Sequence, residues 1–554
     1  MHNLRTFYFN NSSSISEATL FQQIQVRTIL QKEIKRDSWD NGWEFLVSCI
    51  ALSVGLGNVW RFPFTALENG GGAFLIPYMI LLFLVGKPVY YLEMLIGQFS
   101  SRGSLEVFDF APIMRGIGYG QIYAIAITTR YYASILTLII KYFVASFGNG
   151  LPWSYCKKEW GENCIDSARK RFFENEASFN PNGTSSAELY FYKEVLKELP
   201  TIDNGIGQPD LTLVVYLVIK SSGKSSYFLA IFPYIVMLIL FVRAITLPEA
   251  LQGISYLFTP QFNQLLNPKV WYSAMIQVFY SLSICFGPII MHASFNRFSQ
   301  NILRDVTIVT ILDTFTSLLS SVIIFGILGN LAYETGSTDI QSVVQGGSGL
   351  AFVSYTYTIA KFELIPQVFS VLFFFMLFVL GIGTNVDMSS CLLHVIRDSF
   401  PKHRHWKFIL PVALVQFPIG LVYLTPGGQY IMTFVDFFGA SFLVICLAIA
   451  EILSFGWIYG VNPLCKDIEF MLDVKTGWYW RICWGVISPV IMTAILCLKA
   501  ITLKPLKYHD YTYTESFYWA GWLIFGIGVI QLPFWAIYTV FKQNDMTIRG
   551  VFDI

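Results

Sequence analysis

The chain has 554 residues, of which 54% are hydrophobic, 17% aromatic and only 13% charged, and its formal net charge is +1. Soluble domains carry about 25% charged residues, and a soluble chain this long would split into several domains whose polar surfaces this composition cannot supply. A soluble enzyme, a nucleic-acid binder and a disordered scaffold are excluded, which leaves an all-α polytopic membrane protein.

The first 38 residues, with a polar stretch at 10–14 followed by Lys32, Glu33, Lys35 and Arg36, read as a cytoplasmic tail with no signal peptide ahead of the first span. A crossing helix needs about 20 apolar residues. Such segments fall near 43–67, 74–99, 118–147, 226–247, 271–296, 305–332, 364–396, 407–424, 431–459, 480–501 and 517–541. A further apolar stretch at 211–219 is short; at 1.5 Å per residue it rises roughly 14 Å, too little to cross as a helix. Basic residues accumulate on the cytoplasmic side. Arg102, Arg115, Lys220, Lys224, Arg297, Arg304, Arg397, Lys402, Arg404, Lys407, Lys466 and Lys475 share one side only if the chain crosses about twelve times, so the short segment counts as a truncated fourth crossing. The reading is a cytoplasmic tail at 1–38, a membrane domain at 39–541 and a cytoplasmic tail at 542–554.

The polar loop at 148–208 then lies outside. It holds Asn182-Gly183-Thr184, an acceptor triplet for N-glycosylation, and Cys156 and Cys164, which either pair in that oxidising compartment or remain free thiols. The other cysteines lie mostly in apolar runs and read as buried thiols.

Two spans carry interruptions that a lipid-facing helix avoids. The first reads Ser53-Val54-Gly55-Leu56-Gly57-Asn58 and then Trp60-Arg61-Phe62-Pro63; the segment at 271–296 contains Ser281-Leu282-Ser283-Ile284-Cys285-Phe286-Gly287-Pro288. Glycine permits a break and proline removes a donor. Unwound backbone at membrane depth persists only where it lines a protein cavity. Two broken helices five spans apart point to inverted repeats around a midplane site; simple glycine packing contacts are the alternative.

The residues around the first break, with Trp39, Glu68-Asn69-Gly70-Gly71-Gly72-Ala73-Phe74 and Glu93, closely resemble the first two helices of the sodium-neurotransmitter symporter family. The resemblance extends over about residues 36–541. Within that family, residues 115–147, Ser222-Gly223-Lys224 and Asp313-Thr314-Phe315-Thr316-Ser317 are most similar to the insect nutrient amino acid transporters. The resemblance implies a LeuT-type 5+5 inverted repeat and cation-coupled uptake of an amino acid by alternating access at the plasma membrane, with no enzymatic activity.

It also implies a site. Ser53, Gly55, Leu56 and Gly57 would receive the substrate carboxylate, because helix ends offer donors and a positive dipole. Glycine at 55, where monoamine carriers place an aspartate, leaves room for that carboxylate. Tyr132 would bond it, with a packed core aromatic as the alternative, and Thr128 shares its helix face one turn earlier. Tyr280, Ser281, Ser283, Cys285, Phe286 and Met388 would complete a mostly apolar or aromatic wall suited to neutral, large side chains. Arg61 and Asp436 would form the external gate. Arg36, Trp39 and Asp398 would form the cytoplasmic gate, although Phe295 stands where the family has a tyrosine.

One ion site maps onto Ser53, Asn58, Ser281 and Asp313. A second maps onto Ala51, Val54, Leu380 and Thr384, where Gly383 lacks the family's side-chain oxygen and Asp387, at i+4, either supplies it or pairs elsewhere. Sodium is the implied ion, with potassium an alternative. The chloride site of relatives maps onto Tyr78, Gln277, Ser281, Asp313 and Ser317, but Asp313 replaces an asparagine, so chloride is not expected to be required. The rival reading is a transport-inactive member, acting as a receptor or trafficking partner, or a truncated product; the short segment, Phe295 and Arg130 in mid-span support it.

Overall fold

The computed structural model describes residues 38–168, 184–203, 205–218, 226–335, 340, 349–361, 365–400, 406–502, 505–509 and 511–542. Arg36, Asn182, Lys220 and the Ser222-Gly223-Lys224 motif lie outside the described residues, as do both tails' outer parts. Helices dominate. Two short strand pairs accompany them: Cys164–Ile165 with Thr184–Ser185, and Lys507–Tyr508 with Tyr511–Thr512.

All eleven expected segments are helical. Among the described residues, eight helices are long and apolar enough to cross a membrane, or nine if Phe232–Ile245 and Ala250–Phe258, which meet at 111°, form one span. The expected count of about twelve is not reached by length and apolarity, for three local reasons. The 271–296 segment is divided into Pro268–Leu282 and Pro288–Ala293. Trp406–Val422 has 17 described residues. Leu211–Val218 gives 8 described helical residues, about 12 Å of rise, up to the edge of the described segment. It packs against the 30-residue helix Gly116–Ala145 and is pinned at its start, where Asp210 donates its amide to the Leu424 carbonyl and its carboxylate meets Lys197 Nζ at 2.6 Å.

Both breaks are built by their own residues. Gly42–Ser53 starts at Asn41, whose side chain accepts the Glu44 amide. It ends at Val54, which turns extended (φ −83°, ψ 90°) while still donating to Ile50. A π-helical turn, Gly57–Arg61, then leads into Phe62–Glu68, with Pro63 in the first turn, where its missing donor is harmless. In the second break Ser283 (φ 55°), Cys285 (φ 63°) and Gly287 (φ 97°) all occupy the left-handed region. For the two non-glycine residues this costs roughly 1–2 kcal/mol each, which the surrounding packing must offset.

Packing brings the breaks together. Pro268–Leu282 lies along Gly72–Leu81 and against the Gly57–Arg61 turn, which also meets Ile302–Thr335. The fully buried rings of Phe62, Phe74 and Tyr78 sit edge to face at 4.8–5.5 Å, and this aims the Tyr78 hydroxyl at Asp313. In the large loop Cys156 and Cys164 are joined in a disulfide, so the free-thiol alternative falls.

Candidate functional site

At the first break, Gly55 donates its amide to Asn58 Oδ1 at 3.0 Å, so one of the helix-end amides expected to face a carboxylate is already engaged. A Cβ on Gly55 would lie 2.6 Å from Thr384 Oγ1 and 3.5 Å from the Tyr132 hydroxyl. Real Cβ atoms essentially never come that close to a neighbour, so glycine is required by proximity. The Tyr132 hydroxyl is buried between Thr384 and the Leu56 backbone without a well-aligned hydrogen bond to either, and the buried Ser283 hydroxyl has no partner. Orphaned groups of this kind are expensive unless a bound molecule satisfies them. Phe286 and Met388 are buried, and Phe286 packs on Tyr280 at 5.6 Å. Thr128, fully buried, spends its hydroxyl on the Ala124 carbonyl of its own helix, so it offers shape rather than a bond.

Next to these residues oxygens converge. Asn58 Nδ2 meets Ser281 Oγ at 3.1 Å, Asp313 Oδ1 at 2.6 Å, the Asp313 carbonyl at 3.1 Å and Ser317 Oγ at 2.9 Å. Ser281 Oγ donates to Asp313 Oδ1 at 2.6 Å, and Tyr78 reaches the other carboxylate oxygen at 3.5 Å. The Asn58 amide has two hydrogens for four acceptors. Asn58, Ser281 and Asp313, three of the residues expected for the first ion site, thus stand together with Ser317, their oxygens gathered around the Asn58 amide. Gln277 instead donates to the Gly57 carbonyl at 3.1 Å. At the second ion site the Thr384 hydroxyl is directed at the Leu380 carbonyl, 3.4 Å away, and Pro366–Ser399 packs along Gly42–Ser53, which carries Ala51. Asp387 Oδ1 lies 3.6 Å from His292 Nε2, on the neighbouring helix Pro288–Ala293.

Above the site Arg61 and Asp436 form a two-pronged pair at 3.3 and 3.2 Å, each side chain about a quarter exposed. The Tyr280 and Tyr131 hydroxyls donate to Asp436 Oδ1 at 2.7 and 2.9 Å, and the guanidinium sits 3.9 Å over the Tyr280 ring. Asp436 opens a π-helical turn, Asp436–Phe442. Tyr280, expected as a pocket wall, therefore also contacts both members of the pair expected to form the external gate.

The model of the sodium:neurotransmitter symporter family matches residues 36–543. The chain belongs to this family. Among its relatives, the sodium-dependent nutrient amino acid transporter 1 of Drosophila melanogaster is 48% identical over 545 residues, covering 93% of this chain and 85% of the relative. The transporters of that name from Drosophila ananassae (48%; 92% and 86% covered) and Drosophila willistoni (49%; 92% and 85% covered) are similarly close.

On the opposite side of this symporter-family fold, Trp39 donates from its indole to the His292 carbonyl at 2.9 Å and from its amide to the Phe295 carbonyl at 3.1 Å. Its ring stacks on His292 and meets Phe295 edge-on, so Phe295 joins this cluster through ring packing where the family tyrosine would use a hydroxyl. Asp398 is half-buried near the end of Pro366–Ser399. Reading the residues in order missed Tyr131, which is adjacent to Tyr132 and faces the gate instead of the pocket. It also missed a buried group beneath the second break: Cys285 donates its amide to Glu93 Oε1 at 2.6 Å, while Gln121 donates to Glu451 at 2.7 Å, and all four side chains are fully buried. An acid inside the apolar run at 443–453 was the visible signal.

Proposed function

We propose that the chain is a sodium-coupled symporter that imports neutral, large or aromatic L-amino acids across the plasma membrane by alternating access, with both termini in the cytoplasm. The observation that carries the reading is the helix break at Gly55, which lies against Thr384 and Tyr132 with no fixed anion at position 55, near the buried, unpaired Ser283 hydroxyl and the oxygens gathered on Asn58. The names of its Drosophila relatives support the sodium and the amino acid. Uptake of labelled neutral amino acids with and without an inward sodium gradient tests it. Uptake indifferent to sodium or potassium would refute the coupling. The transport-inactive reading rests on the short apolar stretch at 211–219, on Phe295 and on Arg130, whose buried Nη2 has no hydrogen bond; in that case no uptake is measured although the protein reaches the surface.

Asp313 leads to a prediction about chloride. A carboxylate about 4 Å from a cation offsets it by about 4 kcal/mol at an effective dielectric of ~20, so a fixed charge at Asp313 does the work of a bound chloride and repels one. Replacing bath chloride with gluconate is expected to leave uptake nearly unchanged, and Asp313→Asn to weaken cation dependence or create a chloride requirement. A steep loss of wild-type uptake in gluconate would show Asp313 acting as a neutral ligand.

At the gate, Tyr280→Phe keeps the ring under Arg61 and removes one hydrogen bond to a charged acceptor. Such bonds contribute roughly 1.5–3 kcal/mol, and Tyr131 remains, so about a tenfold rise in KM is expected with surface delivery unchanged. An unaltered KM would separate the Tyr280 hydroxyl from gating.

A further inference from the structure

Away from the central site, the last part of the large loop is clamped onto the helix that leads to Asp436. Tyr430, in Gly428–Val435, donates to the carbonyls of Leu199 and Pro200 at 2.9 and 3.1 Å. Gly427 donates its amide to the Ile206 carbonyl at 2.9 Å. The hairpin around 507–513 closes the clamp from the other side. There Tyr511 bonds Asp203 at 2.7 Å, and Tyr513 bonds the Tyr430 carbonyl at 2.7 Å. Tyr430, Tyr508 and Tyr513 are each nearly fully buried.

Within this aromatic clamp sits one carboxylate. Both oxygens of Glu198 are shielded from solvent and lack a well-aligned hydrogen bond; the nearest polar group is the Tyr508 hydroxyl. Tyr192, Tyr430, Tyr508 and Tyr513 all feel its charge. The charged and titratable groups around it do not compensate it. On the loop, Lys197 pairs with Asp210 at 2.6 Å and Glu194 with Lys157, while Glu188 adds a further negative charge near Tyr192. On the hairpin, the His509 ring lies 4.4 Å from Tyr508 and 5.5 Å from Tyr192, Lys507 is exposed, and Asp510 lies outside the described residues. Gly428–Val435 contributes no charged side chain.

We propose that Glu198 is a pH-sensitive latch, so that the loop is held against the hairpin and Gly428–Val435 while Glu198 carries a proton and is loosened when it loses it. Burial among rings raises its carboxyl from 4.5 to about 7, because an uncompensated charge there is poorly solvated. A released, hydrated Glu198 returns toward the ordinary carboxylate range. Below that range both states are protonated and docking is undisturbed. As pH rises toward about 7 the released state ionises first, so docking weakens, and above about 7 the loss is complete and constant. One pKa unit is a tenfold change, so the docking equilibrium falls on the order of tenfold to a hundredfold. Since the clamped helix runs directly into Asp436, the latch links the pH on that face to the freedom of the outer gate. Only the word "outer" depends on the orientation proposed above.

Hydrogen exchange of the peptide covering 196–207 tests the latch in the full chain, held in lipid nanodiscs, without relying on transport. Comparing wild type with Glu198→Gln at the same pH cancels the intrinsic pH dependence of exchange. The two are expected to be equally protected near pH 5, and near pH 8 the wild type should exchange about tenfold faster or more. Tyr430→Phe should speed exchange at both pH values, which establishes that the peptide reports the clamp. Equal protection of wild type and Glu198→Gln at both pH values would overturn the latch. If the Gln variant does not fold, the corrected wild-type titration decides: a midpoint near 7 supports the proposal, and a flat profile or a midpoint near 4.5 refutes it.

Discussion

Gly55→Asp is expected to reduce uptake of neutral amino acids to background while leaving the protein at the cell surface. Two effects act together. The new Cβ would stand 2.6 Å from the Oγ1 of the buried Thr384, so that side chain or the break itself must shift. The added carboxylate would also occupy the space proposed for the substrate carboxylate. Two like charges about 4 Å apart repel by about 4 kcal/mol at an effective dielectric near ~20, roughly a thousandfold in affinity. Gly55→Ala isolates the steric part and should retain more activity than the aspartate. Uptake rates and surface biotinylation measured together check both variants. Normal uptake by surface-delivered Gly55→Asp would remove this glycine from the substrate site.

Asp436→Ala is expected to be nearly as damaging, by a different route. It leaves Arg61 partly buried without its counter-ion and withdraws the acceptor shared by Tyr131 and Tyr280. Removing one partner of a buried pair costs roughly 3–5 kcal/mol. With each side chain about a quarter exposed, the lower value applies, which lowers the population of the gate-closed state by on the order of a hundredfold. Transport should fall by a similar factor, and substrate should protect gate residues from external thiol reagents less well in a cysteine-tagged variant. Asp436→Glu keeps the charge and should recover part of the loss. A fully active Asp436→Ala would mean that the pair is not a gate.

Much of the site was legible because the chemistry that breaks a helix is local. Gly55 in one apolar run, and Gly287 and Pro288 in another, stand where the helices are interrupted, between Ser53 and Gly57 and between Leu282 and Pro288. The partner of a side chain at a break is another matter. Asp387 was a candidate ion ligand on helical spacing alone, since i and i+4 share a face. Which neighbour that face meets depends on the crossing of Pro366–Ser399 with Pro288–Ala293, and the neighbour is His292. Tyr280 is a comparable case. Its place beside the second break marked it as a pocket residue, but only the approach of Asp436, 156 positions away, makes its hydroxyl part of the gate.

From the sequence alone, the low charge and the long apolar runs determined that the chain folds as membrane helices, because unpaired backbone and exposed charge are intolerable in lipid. The same text located the two breaks, the residues clustered around them, the family resemblance and the loop cysteines, all of them features written in windows of a few residues. The tertiary structure decided what no such window contains. It set the two-pronged geometry of Arg61 and Asp436, the oxygens gathered on Asn58, the anchoring of the helical residues Leu211–Val218 beside Gly116–Ala145, and the clamp around Glu198. These depend on which helices meet and at what rotation. That outcome is chosen by packing over hundreds of residues, whereas a broken helix is chosen by the residue that breaks it.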